Sequence, residues 1–505
     1  MTKKLKDSPR RALIISQRPS DYVEMSRCAK ILKNNGWEIH FLYFHGDAES
    51  DSDVIDLIKQ QESEGGFSHV ELRQIGMHRR SEAETMSPGS MVLARVRHLF
   101  LVFFRKTIVG NLKEYAKRNA NSLINNTLML YNSIRIIFFY LSEKSSLKDI
   151  VSKSDVDVII VPEDVVGYIS PLVIKAGHEL NIPSVIIPYT IANEQEAFRS
   201  LLGNSHYHLE GVWNRLMGKL FPNWVMSQEG VSLVRMPAPY ILGQVLTKTS
   251  PPNPWMMNSG FANIIAVENL AMREYYLKSG IPDTKIRVVG AISDDSLAEF
   301  KLNKARELRV LKRELSIDGD KPILLVGGCP DQSGCCPPGF EYSDFQQFIL
   351  RLADLLKPLS SSYDLVFRPH PNNMGVGEVL EKAGVSVTNI DTARLVSLSD
   401  VYIAFASATI RWAIACEVPV VNYDLFHYNY DDFKGVPGVL NVTTDEEFKN
   451  ALESIKPDCA RFGALQRDIK ISAHRWGMLD GKSTDRIIAL IDEVCGQEFV
   501  PRVSK

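Results

Sequence analysis

Four side chains of this chain have the types and spacing to hold an anion. Arg368 and His370 sit in the turn of YDLVFRPHPNN, and Ser407 and Thr409 in SDVYIAFASATIRWAIACEVPVVNYD, which ends at Asp424. An arginine offers two parallel donors and a histidine an imidazole N–H. Pro369 and Pro371 stiffen the first turn, so the imidazole is presented with little freedom left to lose. Ser407 and Thr409, flanking Ala408, are good helix N-cap types, and the free N–H groups of a following helix attract phosphate. Each motif follows a short apolar run that reads as a buried strand, Leu365–Phe367 and Val401–Phe405. Singly they read as an ordinary turn and a capped helix. Together they point to a pocket for a nucleotide mono- or diphosphate. Asp424, with Tyr423, His427 and Tyr428 nearby, is placed to contact base or sugar, although packing is the readier role for the two tyrosines.

Two further groups stand at strand ends. Gly327 and Gly328 follow the strand of PILLVGG, where small residues let a ligand approach the backbone. Glu163 and Asp164 follow the strand VDVIIV, Val156–Val161. A carboxylate pair can share one proton or poise one member as a base, and it can equally be a solvated acidic loop.

The elements that position these residues are legible as alternating apolar strands and amphipathic helices. Strands are expected at Arg11–Ser16, Trp37–Phe44 and Ser68–Ile75, with helices at Tyr22–Asn35 and Val54–Glu62. The first strand leads into SQRPSDY, which lacks the glycines of a dinucleotide fingerprint. Strands at Asn263–Val267 and Lys285–Val289 flank a helix at Leu270–Lys278. Strand, polar loop, helix, strand also describes the stretch that carries Ser407 and Thr409, with Ile410, Ala413 and Ile414 on one helix face and Val418–Tyr423 as the next strand. Open parallel sheets bind ligands at the carboxyl ends of their strands. Residues 193–261 show little periodicity, and their Trp213, Trp224 and Trp255 are read as exposed ligand- or lipid-facing rings or as loop packing. Near the end, Ser472–Glu493 reads as one or two helices broken near Gly481.

Composition narrows the class. At 505 residues the chain is too long for one core. Its 58 basic and 60 acidic residues leave a net charge of −2, which gives no reason to expect nucleic acid as partner. Seven cysteines, an odd number and mostly isolated, fit reduced thiols better than a disulfide framework, and Cys329, Cys335 and Cys336 lack the spacing of a zinc site. No metal site is expected, since Asp294-Asp295 and Asp431-Asp432 are simple loop pairs. No secretory leader and no apolar run long enough to span a bilayer are seen, so a cytoplasmic protein is expected. The basic-aromatic segment within Met91–Arg118 and the run Ile134–Leu141 leave two readings, buried helices or peripheral contact with an anionic membrane. The composition shift at Gly290–Asp320 sets the domains at 1–300, 301–475 and a terminal helix, 476–505, that packs back on the first.

On these residues the chain resembles the GT-B glycosyltransferases of bacterial surface polysaccharides. Arg368-Pro369-His370-Pro371 and Ser407-Ala408-Thr409 are similar to the motifs of transferases that use CMP-activated sialic acid or Kdo, and the CDP-glycerol glycerophosphotransferases carry a related segment. Arg287–Gly290 followed by Asp294-Asp295 resembles their domain junction. The resemblance implies an α/β fold of two Rossmann-like domains, the first enlarged by helical and irregular insertions. It implies inverting, metal-independent transfer of a sugar from a nucleotide-activated donor to a glycan or glycolipid acceptor in capsule or lipopolysaccharide synthesis, with no cofactor beyond that co-substrate. A CMP-sugar is favoured and a UDP-sugar open. In the CMP-sugar enzymes an acidic pair followed by Gly holds the base. Glu163 and Asp164 match, although Val165 and Val166 separate them from Gly167. Glycerol-phosphate transfer, a UDP-N-acetylglucosamine 2-epimerase-like enzyme and a non-catalytic polysaccharide-assembly subunit are the alternatives. The UDP-N-acetylglucosamine 2-epimerases share the fold, but their Asp-Ser-Gly-Gly and His-x-Glu-x-Gly segments have no counterpart here.

Overall fold

In the computed structural model of the chain, residues 9–46, 51–74, 120–333 and 339–496 are described. The Met91–Arg118 segment, Cys335 and Cys336 lie outside them. Contacts divide the chain into two compact units. One comprises Met1–Pro188, Ala197–Ile265 and Leu490–Lys505, and the other Tyr189–Glu196 and Ala266–Ala489.

The first sheet runs β3-β2-β1-β4-β5-β8-β9. Its strands are β1 (Arg11–Ser16), β2 (Glu38–His45), β3 (His69–Gln74), β4 (Val158–Val161), β5 (Ser184–Ile186), β8 (Ile264–Val267) and β9 (Ile286–Val288). β1 pairs in parallel with both β2 and β4, with Ile14 opposite Phe41 on one side and Ile160 on the other. β1, β2 and β4 are almost continuously buried, as strands covered on both faces must be. Chain order reverses between β1 and β4. That is the switch point at which such sheets leave a crevice beyond the strand ends.

The second sheet runs β12-β11-β10-β13-β14-β15. Its strands are β10 (Ile323–Gly327), β11 (Asp364–Arg368), β12 (Ser386–Val387), β13 (Val401–Ala404), β14 (Val420–Tyr423) and β15 (Val439–Val442). All its pairs are parallel. Alternate residues build a core on each face. Leu324, Val326, Leu365, Phe367, Val401, Ile403, Val421 and Tyr423 share one. Ile323, Leu325, Val366, Tyr402, Ala404 and Val420 share the other. This period of two is what a pleated strand imposes. Here the switch point lies between β10 and β13.

The stretch from 193 to 261 is more ordered than its sequence suggests. It holds helices Val212–Leu220 and Ala238–Thr247 and an antiparallel hairpin of β6 (Val225–Gln228) and β7 (Val231–Val234). Its tryptophans are packing residues. Trp224 and Trp255 are buried, and Trp213 packs beside Trp224 and Val234. Small residues set the approach of the helices. A Cβ on Gly243 would lie 2.6 Å from the ring of Tyr140, on helix Ala120–Ser154. The aromatic run Ile134–Leu141 belongs to that helix and buries Ile136 and Tyr140. Near the chain end, helix Ala460–Trp476 begins well before the expected Ser472, and Ser483–Gly496 follows the break at Gly481.

Candidate functional site

Beyond β10, β11 and β13 three loops meet at the switch point of the second sheet. β10 places Gly327 opposite Arg368 on β11, and Val326 opposite Ile403 on β13. The Gly328 N–H donates to the Arg368 carbonyl at 2.8 Å. The two glycines make room for protein atoms. A Cβ on Gly327 would come 2.5 Å from the Tyr402 hydroxyl, and one on Gly328 2.7 Å from the backbone nitrogen of His370. Removing both side chains is what lets the three loops close on one another.

The hydroxyls of the β13 loop form a small network. Tyr402 Oη lies 2.7 Å from Thr409 Oγ1, which lies 2.8 Å from Ser407 Oγ. The Thr409 N–H donates to Ser407 Oγ at 3.3 Å. Thr409 stands at the N-cap position of the helix Ile410–Ala415, but its side chain does not cap it. Its backbone is already helical, it makes no side-chain cap bond, and its hydroxyl turns to Tyr402. Tyr402 is buried, which raises its phenol, while the Thr409 and Ser407 hydrogen bonds and the charge of Arg368 pull it back.

Ala406 holds this loop in a left-handed conformation, φ +48°. Its N–H donates to Asn422 Oδ1 at 2.9 Å, Asn422 Nδ2 to Asn441 Oδ1 at 2.9 Å, and Asn441 Nδ2 to the Phe433 carbonyl at 3.0 Å. Carboxamides on β14 and β15 thus pin the strained residue. One turn on, Arg411 is buried and donates to Asp294 Oδ1 at 2.8 Å and to the Trp476 carbonyl at 3.3 Å. Asp295 accepts from the Ser483 and Thr484 N–H groups, each at 2.8 Å. Gly290, at φ +86°, leaves the space taken by the Ser483 hydroxyl. The Gly290–Asp295 segment is therefore an anchor for the loop-bearing helix. In the sequence, Arg411 is marked only as a lone charge in the apolar helix Ile410–Ala415.

Arg368 and His370 lie together on the β11 loop. Arg368 Nη1 donates to the Pro369 carbonyl at 2.5 Å, while the buried Nε has no partner. Burial and then the charge of Arg368 lower the His370 imidazole, so it is neutral at pH 7. Pro371 opens the turn Pro371–Val376 that follows. Asp424, beyond β14, spends both carboxylate oxygens on its own loop, accepting from the Tyr428 N–H at 2.9 Å and the Asn429 N–H at 2.6 Å. His427 and Asn429 are both left-handed, so this clamp holds a strained turn. Tyr423 is buried against Phe448.

A cavity of about 200 Å³ opens beside Ser407. Its lining includes Glu196, Ala406, Ser407, Ala408, Asn422, Asp424 and Asp432, and no Lys, Arg or His among the described residues. Burial pushes the Asp432 carboxyl up to about 7, against the pull of Asn193 Nδ2 at 2.7 Å.

In the first unit, Glu163 and Asp164 lie just beyond β4, at that sheet's switch point. Both are buried, so the solvated-loop reading does not hold. Arg18, just beyond β1, reaches Glu163 Oε1 at 2.5 Å and Asp21 Oδ1 at 2.9 Å, and its guanidinium lies 5.2 Å from the Tyr168 ring centre. The Asp164 N–H donates to Asn258 Oδ1 at 2.7 Å, and the Asn258 N–H returns to the Asp164 carbonyl at 2.7 Å. In the sequence, Arg18 is marked only by its place in SQRPSDY, the loop after the first strand.

The chain matches no family model and no curated protein sequence. Its fold does have solved counterparts. The calicheamicin glycosyltransferase is similar at a TM-score of 0.50 and 12% identity, over 98% of this chain and 100% of that one. The fold is GT-B. A UDP-GlcNAc 2-epimerase from Neisseria meningitidis bound to UDP-GlcNAc has a TM-score of 0.48 at 11% identity, over 96% of this chain and 100% of that one. A glycosyltransferase from Rickettsia africae has 0.43 at 12%, over 97% and 99%. In GT-B terms each Rossmann-like domain carries its candidate residues beyond the carboxyl ends of its own parallel strands. No helix among the described residues is long and apolar enough to cross a membrane.

Proposed function

We propose that the protein is a glycosyltransferase that takes a sugar from a nucleotide-activated donor, with inversion and without a metal, and passes it to a glycan or glycolipid acceptor of a surface polysaccharide. One observation carries this reading. The loops that carry Arg368 and His370 and Ser407 to Thr409 follow the strands on either side of β10, at the switch point of the second sheet, and a cavity lies beside Ser407. The cationic and hydroxyl donors suit a phosphate. Their task is to stabilise charge growing on the departing nucleotide, where fixed donors are worth more than water. Sugar hydroxyls fit the cavity, since Asp432 and Asn422 accept and donate hydrogen bonds. In the first unit, the Glu163–Asp164 pair supplies the base for the acceptor hydroxyl.

The lining also bears on the donor. A sialic acid or Kdo residue would bring its own carboxylate beside Asp424, and like charges disfavour that. The cavity therefore supports a neutral sugar on UDP, and the Arg-Pro-His-Pro turn a CMP-sugar. To test both, the protein is incubated with UDP-GlcNAc, UDP-glucose, CMP-sialic acid and CMP-Kdo, with and without EDTA, and free nucleotide is measured. Release from a UDP-sugar that survives EDTA is the expected result. Release from none of the four would overturn the donor assignment, and loss in EDTA would overturn the metal-free mechanism.

A further inference from the structure

We infer that a second cavity of the second unit binds a sugar ring carrying a carboxylate or a phosphate, with Lys278 and Lys434 as partners of the anion. The site is separate from the nucleotide pocket. It rests on the transferase reading above for one point, that its occupant is an acidic unit of the acceptor glycan.

The cavity measures about 310 Å³, within the range of small-ligand sites. Helix Leu270–Lys278, the end of helix Ala460–Trp476, the loop 432–437 and Ile191 form its walls. All of them belong to the second unit.

Particular side chains fix these walls to one another. Arg475 pairs with Glu274 and ties the two helices together. The Phe433 and Trp476 rings lie 5.0 Å apart and join the loop to the second helix. Gly438, at φ +82°, lets the chain press on that helix, since a Cβ there would stand 2.6 Å from Ile469 Cα. On the other side, Asn193 Nδ2 donates to Asp432 Oδ1 at 2.7 Å, and the Glu194 N–H donates to the Tyr275 hydroxyl at 3.1 Å. The segment Tyr189–Glu196 is thereby held to both the loop and the first helix. The cavity stands inside a closed ring of contacts, so its shape is set before a ligand arrives.

Its charge is unbalanced. Lys278, Lys434 and Arg475 line it against two carboxylates, Glu274 and Asp432. Glu274 is taken up by Arg475, and Asp432 accepts from Asn193. Lys278 and Lys434 are exposed, and neither has an ion-pair partner among the described residues. Lys278 closes its helix, where a cation also offsets the dipole. Lys434 lies in a loop and has no such role. Each ammonium brings three donors, which suit a carboxylate or a phosphate.

The wall behind the cations is apolar. Met272 and Trp476 are buried in it, and Ile191 and Val436 are partly buried. A sugar ring shows C–H groups on its faces and polar groups at its rim, so an apolar wall with a cationic edge matches a ring that carries an anion. The cavity beside Ser407 has the opposite character, with carboxylates and no cation among its described lining, and Asp432 lines both. Of the two, only the larger offers an acid its counter-charge.

Calorimetry tests the site with trigalacturonate as the carboxylate source, glucose 6-phosphate as the phosphate source and maltotriose as the neutral control. At least one acidic sugar is expected to bind the wild type, about tenfold or more tightly than maltotriose, and more weakly as salt is raised. The double variant Lys278→Gln/Lys434→Gln should weaken that binding about tenfold or more and leave affinity for UDP and CMP within about twofold. Both lysines are exposed, so the variant should keep the wild-type Tm. Binding of neither acidic sugar, equal binding of maltotriose, or full acid binding by the double variant would overturn the inference. Nucleotide release from none of the four sugar donors would overturn the transferase reading instead, and would leave acid binding that depends on the two lysines in place.

Discussion

His370 shows how one side chain reports on the whole pocket. Burial and the neighbouring Arg368 lower its imidazole below the usual histidine value, so the free protein carries it neutral at pH 7. A bound phosphate dianion would raise it again by supplying the opposite charge. Nucleotide binding should then take up a proton, and affinity should fall as pH rises through the pKa of the complex. Calorimetric titrations from pH 5.5 to 8 are expected to show that decline in the wild type and a flat profile in His370→Gln. An equal slope in both would place the coupled group elsewhere. Glu268 reports on stability instead. It is buried, its Oε2 has no hydrogen-bond partner, and burial raises it to about 7 despite the pull of Arg411. Its folded value lies above the ordinary 4.5, so the folded state holds an extra proton between the two values. Stability from this group is full below pH 4.5 and is lost as pH rises to 7. Glu268→Gln should therefore raise Tm at pH 8, by up to about 3 kcal/mol of stability, and leave it unchanged near pH 4.5. A gap independent of pH would show that ionisation is not the cause.

At the scale of elements, the β13 loop depends on the carboxamides behind it. Asn422→Ala removes the bond to the Ala406 N–H and leaves Asn441 with an unmet acceptor. Groups left unsatisfied in this way cost about 1–3 kcal/mol. Chemical denaturation should show a loss of that size, and nucleotide affinity should fall with it because the Ser407 hydroxyl follows Ala406. Unchanged affinity in a destabilised protein would separate the loop from binding. The strands and helices of both sheets were largely legible because buried strands and amphipathic helices leave a period in the chain. β1 and the helix Leu270–Lys278 have the expected bounds. What the pattern hid was partnership across distance. Nothing local in Arg18 announces Glu163, 145 residues on, and nothing in Arg411 announces Asp294. Thr409 has the composition of a cap, but whether its hydroxyl serves the helix or Tyr402 is decided by the adjacent strand. The region 193–261 hid its helices behind Pro and Trp, whose burial comes from packing beyond the local sequence.

Over the whole molecule, the same arrangement occurs twice. Each parallel sheet reverses its chain order once, between β1 and β4 in one and β10 and β13 in the other, and each places its candidate residues just beyond that point. The first carries carboxylates with an arginine, the second cationic and hydroxyl donors beside an acid-lined cavity. The central claim is that Arg368, His370, Ser407 and Thr409 form a nucleotide phosphate site. Calorimetric titration of UDP, CMP, CDP, GDP and ADP into the wild type and into His370→Ala tests it most directly. At least one of UDP, CMP and CDP should bind the wild type, and bind the variant about tenfold or more weakly, the loss of one hydrogen bond to a charged group. Binding by none of the five, or equal affinity in the two proteins, would contradict the account.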